Sequence, residues 1–397
     1  MTAVSPPKRG RRGILAVLTL VHAAGSANLM AVLAMGPIVQ QALQLSRSEF
    51  GLMIAAYSVG LLICAIPFGW VVDRFGVRRT LVAALIIMAA ATVSLTQVAN
   101  FAGAIGCLGL GGVGYALVNP ATGRAVLFLV PQTLRAAAMG IKQSGVPLGG
   151  LVAAAVGALA VVLGWQGVLW LIAAVTAVLA ATCFFLPDEG GHGNALSVRR
   201  AFADLGTVLR NRNLTLLIIL GGGYNMAQSA FFTYLTLFLR DVAQASLPVA
   251  SLCLGLAHGG SVIGRVSWGM VSDRLFGGRR KVVIVLIGLT GAAALSAMPA
   301  AGLGPVLAVG APLAIVCGLT IAAYGGVLQT AVVETADSRL AGAAIGYHLS
   351  FVSISQIVGL PAFGAVVDWS GDYTTGWLTF AGLLFLSTLL MARFFEE

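Results

Sequence analysis

The chain has 397 residues, of which 59% are hydrophobic and only 9% are charged. Soluble domains carry about 25% charged residues, so this balance argues against a soluble enzyme and for a polytopic α-helical membrane protein with no sizeable soluble domain. The net charge of +10 does not signal nucleic acid, because the basic residues cluster between apolar segments rather than along one surface.

Lys8, Arg9, Arg11 and Arg12 precede the first apolar run. That run outlasts a signal-peptide core and shows no clear small-residue cleavage site, so it reads as the first membrane helix. A spanning helix needs about 20 apolar residues. Apolar segments fall at 14–43, 50–72, 79–99, 101–131, 137–163 and 166–186. After a polar stretch at 187–212 they resume at 213–239, 248–272, 281–301, 304–333, 340–367 and 374–395. The expected organisation is a tail over 1–13, a six-helix bundle over 14–186, a linker over 187–212 and a second six-helix bundle over 213–395. With the N-terminus in the cytosol, 18 of the 23 Lys and Arg residues lie on the cytosolic side and two, Arg47 and Arg240, outside. Positive charge collects on the cytosolic side of membrane proteins, which sets this orientation and puts both termini in the cytosol. The five cysteines (Cys64, Cys107, Cys183, Cys253 and Cys317) all sit inside apolar segments without CxxC spacing. They read as packing residues, and no metal or cofactor is expected. Trp165, Trp170, Trp369 and Trp377 fall near segment ends expected on the outside and read as interface anchors.

The two halves repeat. Gly69-Trp70-Val71-Val72-Asp73-Arg74-Phe75-Gly76-Val77-Arg78-Arg79 follows the second segment, and Gly269-Met270-Val271-Ser272-Asp273-Arg274-Leu275-Phe276-Gly277-Gly278-Arg279-Arg280 follows the eighth. Gly60 and Gly260 share the same offset of 200 residues, so the chain reads as a duplicated six-helix unit. With this GxxxDRxGxRR loop in both halves, the sequence resembles the major facilitator superfamily over essentially its whole length. The Ala- and Gly-rich composition suggests a bacterial inner membrane, and the resemblance implies twelve helices in two pseudo-symmetric bundles around a central cavity, working by alternating access as a monomer. It also implies a cytosolic gate built from Gly69, Asp73, Arg74, Arg78, Gly269, Asp273, Arg274 and Arg279. Physically, the glycines would permit close helix contact, and the aspartates would meet arginines and helix N-termini.

All 13 acidic residues lie at segment ends, in loops or in tails, whereas Arg124, Lys142 and Arg265 lie inside segments. Each buried cation costs about 2.5–3.5 kcal/mol at the bilayer centre, so an anion from outside the chain is the natural counter-charge. At 1.5 Å per residue, Arg265 lies about 12 Å, and Arg124 and Lys142 about 10 Å, from the cytosolic edge. Aligning Leu134–Gly149 on Leu340–Ser355 places His348 opposite Lys142, and a histidine there changes charge near neutral pH. Each of these has a second reading. Lys142 has a stem long enough to reach the interface, Arg124 stands close enough to its helix end to pair with Asp73, and His348 suits a packed interior position. His22 and His258 read as interior packing residues.

The stretch Gly264-Arg265-Val266-Ser267-Trp268-Gly269 is similar to helix eight of oxalate:formate and monocarboxylate carriers. There the arginine at this position binds the substrate carboxylate and a helix-eleven lysine assists; here helix eleven carries His348. Asn28, Tyr115, Asn119, Tyr224, Asn225, Gln228, Tyr324 and Gln329 complete the candidate substrate contacts on helices one, four, seven and ten, with Pro120 expected to bend helix four. The expected function is secondary transport of a small organic anion, a monocarboxylate or similar compact anion, coupled to an ion gradient, with protons a candidate. A proton-coupled exporter of amphipathic compounds is the alternative. Cys107 stands where proton-coupled members often carry arginine, the helix-five run Gly145-Val146-Pro147-Leu148-Gly149-Gly150 departs from the exporter pattern GPxxGG, and no carboxylate lies mid-helix; all three count against it. No HExxH or GxSxG motif suggests an enzyme.

Overall fold

A computed structural model describes residues 8–64, 67–131, 134–187, 206–336 and 340–396. The chain is helical throughout these residues, because only internally hydrogen-bonded backbone survives in lipid, in helices or closed barrels. The helices named below are α1 (Lys8–Ala34), α2 (Gly36–Ala42), α3 (Arg47–Cys64), α4 (Pro67–Leu95), α5 (Phe101–Ala116), α6 (Val118–Leu129), α7 (Arg135–Gln143), α8 (Gly145–Gly157), α9 (Ala160–Cys183), α10 (Arg212–Asp241), α11 (Leu247–Leu275), α12 (Arg280–Ser296), α13 (Gly310–Leu319), α14 (Tyr324–Thr335), α15 (Ala341–Ser370) and α16 (Tyr373–Phe394). Ten candidate spans among the described residues are long and apolar enough to cross a membrane. The α7–α8 pair and α10 lie where the fifth and seventh segments were expected. Most of the linker, including Asp188, Glu189, Arg199 and Arg200, lies outside the described residues.

Several expected single helices are broken, for local reasons. Segment 14–43 divides at Met35, with Pro37 in the first turn of α2. Segment 101–131 divides at Leu117; Pro120 lacks an N–H, so the Ala116 carbonyl has no i+4 donor there. Segment 304–333 becomes α13 and α14, separated by the unwound residues 320–323, where Thr320 leaves the helical region (φ −107°, ψ −90°). In the two signature loops, Gly76 (φ 79°) and Gly277 (φ 59°) both take the left-handed conformation, which glycine adopts without a Cβ penalty.

The chain divides into two compact units, Met1–Val32 with Ala56–Ala195 and Leu33–Ala55 with Leu196–Glu397. In the first, Leu18, Val21, Leu81, Leu85, Met88, Val118 and Ala121 form a core joining α1, α4 and α6. Glycines let backbones touch. A Cβ on Gly112 would lie 2.0 Å from the Tyr57 carbonyl oxygen, and one on Gly60 2.2 Å from the Gly109 carbonyl oxygen, so α3 and α5 meet backbone to backbone. Helix α8 presses on α1 likewise: Cβ atoms on Gly145 and Gly149 would lie 2.3 and 2.2 Å from the Thr19 and Ala23 carbonyl oxygens.

The second unit repeats the first contact at the equivalent place, since a Cβ on Gly318 would meet the Ala257 carbonyl oxygen at 2.2 Å. Its core is aromatic: Phe363 stacks on Tyr234 (4.6 Å) and packs on Trp377 (4.7 Å). Trp377 is buried in this core, and Trp165 is buried in the first unit, contrary to the interface role expected of them, while Trp170 and Trp369 are exposed. Trp377 is drawn in by Phe238 and Phe363, and Phe363 packs in turn on Phe380.

Leu33–Ala55, expected within the first bundle, packs in this second unit through polar contacts. Carbonyls freed at the Met35 break are answered there, with Thr236 donating to Leu33 (2.8 Å) and Ser251 to Ala34 (3.2 Å), and Arg240 donates to the Pro37 carbonyl within α2 (2.6 Å). Arg47 donates to Asp241 at 2.9 Å, as does the Tyr373 hydroxyl. The Asp368 carboxylate caps α3, accepting from the N–H groups of Arg47 (3.1 Å) and Ser48 (2.8 Å) and from the Ser48 hydroxyl (2.7 Å). Asp368→Ala removes all three bonds and leaves the first turn of α3 without its cap. It is expected to cost about 1–2 kcal/mol of stability, read as a lower melting temperature of the purified protein.

Candidate functional site

In the second unit the break between α13 and α14 faces one side of α11. Ser261, Arg265 and Trp268 recur at i, i+4 and i+7, so they share a face. Ser261 donates to the Ala322 carbonyl at 2.7 Å, and the Trp268 indole N–H donates to the Leu319 carbonyl at 2.7 Å. These are carbonyls that unwinding removes from the helical ladder, and α11 supplies their donors. Gly264 admits the close approach, since a Cβ there would lie 2.6 Å from the Leu319 carbonyl oxygen. Arg265 therefore stands half-buried between two residues that hold the broken turn. Its charge acts on Tyr324, the first residue of α14, and on His258, two turns back along α11. Asn225 on α10 stands beside Tyr324, and His258 stacks on Phe232 with ring centroids 4.4 Å apart.

Arg265, Tyr324 and Asn225, all expected contacts, are thus brought together at a broken helix, an arrangement that binds ions in membrane carriers. His258, expected only to pack, belongs to the same group; its i, i+7 spacing from Arg265 was the available signal. Tyr224 points elsewhere. Its hydroxyl donates to the Ile284 carbonyl at 3.1 Å and lies 2.9 Å from the Thr388 hydroxyl, fully buried. Gln228 and Gln329 are half-buried on α10 and α14. His348 is 6% exposed on α15, and its Nδ1 has no partner among the described residues.

Trp268→Phe keeps the ring bulk and deletes the donor to Leu319. A buried carbonyl left unsatisfied costs about 1–3 kcal/mol. The variant is expected to lose thermal stability by that amount and to lose transport disproportionately, measured as uptake per folded protein.

In the first unit the site is smaller and more polar. Lys142, 3% exposed, donates from Nζ to the Thr122 hydroxyl at 3.0 Å. His22 Nε2 lies 3.0 Å from the same oxygen, with the Tyr115 ring edge-on to the imidazole at 6.4 Å. Sharing that oxygen holds the two nitrogens within 6 Å of each other, where two positive charges repel by about 3 kcal/mol at an effective dielectric of 20. Next to this group, the Gln143 amide reaches Asn119 Oδ1 at 3.4 Å. Nothing in the sequence ties His22, Thr122 and Lys142 together, since they are 100 and 20 positions apart.

Two candidates lie apart from this group. Arg124 stands about 200° round α6 from Thr122, and its guanidinium covers Phe128 at 4.9 Å. The Asn28 amide donates to the Ala24 carbonyl (2.7 Å) and Thr176 (3.0 Å), and its oxygen accepts from Thr92 (2.6 Å). Asn28 thus ties α1 to α4 and α9, with both donors occupied.

A profile of the Major Facilitator Superfamily matches residues 15–359. The chain belongs to that superfamily. It is a multi-pass membrane transporter and not an enzyme. The chain is similar to the hexuronate transporter of Bacillus subtilis (strain 168), with 25% identity over 408 residues, covering 96% of this chain and 94% of that one. It is also similar to a probable sulfoacetate transporter of Cupriavidus necator, with 25% identity over 286 residues, 67% of this chain and 66% of that one. In fold it resembles the solved structure of a nucleoside transporter mutant, with a TM-score of 0.83 at 15% identity, covering 96% of this chain and all of that one.

The signature loops of this facilitator are unequally described. The side chain of Asp73 and the surroundings of Gly69 lie outside what the structure describes. Arg74 approaches the Phe75 ring at 5.8 Å, and Arg78 begins the helical run after Gly76. In the second copy, Asp273 pairs with Arg280 at 2.5 Å, and Arg280 also meets Ser272 (2.9 Å) and Glu334 (3.2 Å). Arg280, outside the expected gate residues, thus links the end of α11 to the end of α14. Arg274 lies in the last turn of α11, and Arg279 precedes the first turn of α12. A Cβ on Gly269 would have nothing within 4 Å among the described residues.

Proposed function

We propose that this facilitator carries a small organic anion bearing a carboxylate, by alternating access, with Arg265 as its main charge partner. One observation carries this reading. Every carboxylate whose side chain is described lies at a helix end or in a loop, whereas the Lys142 ammonium is 3% exposed with a neutral hydroxyl as its partner. A buried cation without an internal counter-charge is costly, and a transported anion supplies that counter-charge. Arg265 supplies a planar fork that grips a carboxylate with two parallel bonds, while Lys142 acts as a point charge. Tyr324 and Asn225 add neutral donors beside the arginine. His348 and Lys142 are further contacts, and Arg124 attracts the anion from its side of the protein. The similarity to carriers named for hexuronate and sulfoacetate supports a compact carboxylated or sulfonated substrate.

The test is counterflow in proteoliposomes with glucuronate, sulfoacetate, short monocarboxylates and inorganic anions. Exchange of one carboxylate class, blocked by the other members of that class, is the expected result. Transport of cationic or neutral amphipathic compounds, with no anion exchanged, would overturn the reading in favour of an exporter.

A further inference from the structure

The polar group in the first unit has a hydrogen balance that the substrate reading leaves unused. The Thr122 hydroxyl has one hydrogen, directed to the Val118 carbonyl at 2.7 Å. Lys142 Nζ and His22 Nε2, each 3.0 Å from the hydroxyl oxygen, therefore both approach its lone pairs as donors. This assigns the His22 ring hydrogen to Nε2 from the hydrogen-bond network. Nδ1 is then the free base of the ring, and it is buried without a partner among the described residues.

We infer that His22, Thr122 and Lys142 form a proton-binding site, with His22 Nδ1 taking up the proton when an anion binds. The step is a simple transfer: one proton from water joins the Nδ1 lone pair, and the ring becomes a cation hydrogen-bonded through Nε2–H to Thr122. Lys142 on α7 and Tyr115 on α5 face His22; the elements packed around it also carry Arg135 on α7, Arg124 on the far side of α6, Tyr57 on α3 and, outside the described side chains, Asp73 on α4. Arg74, Arg78 and Arg79 on α4 and Cys183 on α9 complete the set. No carboxylate occurs among these described side chains. Among the described side chains a second positive charge beside Lys142 therefore has no internal counter-ion, and an anion provides one. Anion binding and His22 protonation then favour each other by the same factor, as linkage requires. The result is proton–anion symport through a site formed without an acidic residue.

The inference rests on the anion reading above, and its test separates the two. In vesicles with an acidic exterior, wild type is expected to accumulate D-glucuronate about tenfold for each pH unit of gradient, the limit for one proton per anion. His22→Gln keeps an N–H for Thr122 but does not titrate, and its accumulation is expected to stay near unity at every gradient. Gradient-driven accumulation in His22→Gln equal to wild type would overturn the proton site. If wild type neither exchanges nor accumulates any anion, the anion reading fails, and a second measurement decides the proton site alone. The ¹⁵N signals of His22 are followed against pH in wild type and Lys142→Met. Different titration curves support the shared site; coincident curves overturn it.

Discussion

Arg265→Gln is expected to lower carboxylate counterflow by about 10- to 150-fold, the equivalent of losing a charge-assisted bond worth about 1.5–3 kcal/mol. Glutamine keeps a hydrogen-bond donor and much of the reach, so the loss reports charge and fork geometry rather than volume. Arg265→Lys restores the charge without the paired N–H groups and is expected to fall between the two. The geometry behind the prediction is the placement of Arg265 between Ser261 and Trp268, whose bonds to Ala322 and Leu319 fix the broken turn beside it. Uptake per folded protein is the measurement, with melting temperature as the control. Unchanged uptake in Arg265→Gln would remove this arginine from the site.

The second large effect is structural. Gly112→Val is expected to abolish correct folding of the first unit, seen as loss of the monodisperse peak in detergent. Overpacking a well-filled core costs about 1–3 kcal/mol when side chains can shift. Here the obstacle is the Tyr57 carbonyl, 2.0 Å from where Cβ would stand, and the neighbouring Gly60 contact is as tight. Neither helix can relieve the clash by rotating a side chain, so α3 and α5 must separate along their length. Gly106→Ala on the same helix is the control. A Cβ there meets nothing within 4 Å, and alanine in a helix interior is favoured over glycine by about 0.5–1 kcal/mol. That variant is expected to be neutral or slightly more stable.

The pattern of apolar segments and the duplicated loop were legible because composition and motif spacing carry them. Arg265 was legible for the same reason: an arginine in an apolar helix is costly wherever it points. The break over 320–323 was not, since no proline marks it and a threonine such as Thr320 is common inside membrane helices. It depends on donors from Ser261 and Trp268, which are remote in sequence. The grouping of His22 with Thr122 and Lys142 depends on Gly145 and Gly149 seating α8 against α1, a contact visible only once the helices are packed. Trp377 shows the opposite failure. Its position near a segment end suggested the interface, but ring packing with Phe238 and Phe363 holds it in the core.

The place of Leu33–Ala55 bears on how the duplication has aged. Cut at the linker, the second half would lose the segment that Asp368, Asp241, Thr236 and Ser251 bind, and their hydrogen bonds with it. The two halves of the gene retain the symmetry of their origin, but the polypeptides they encode are no longer interchangeable modules. One copy has come to depend on a loan of 23 residues from the other, so divergence since the duplication has been constrained jointly in both.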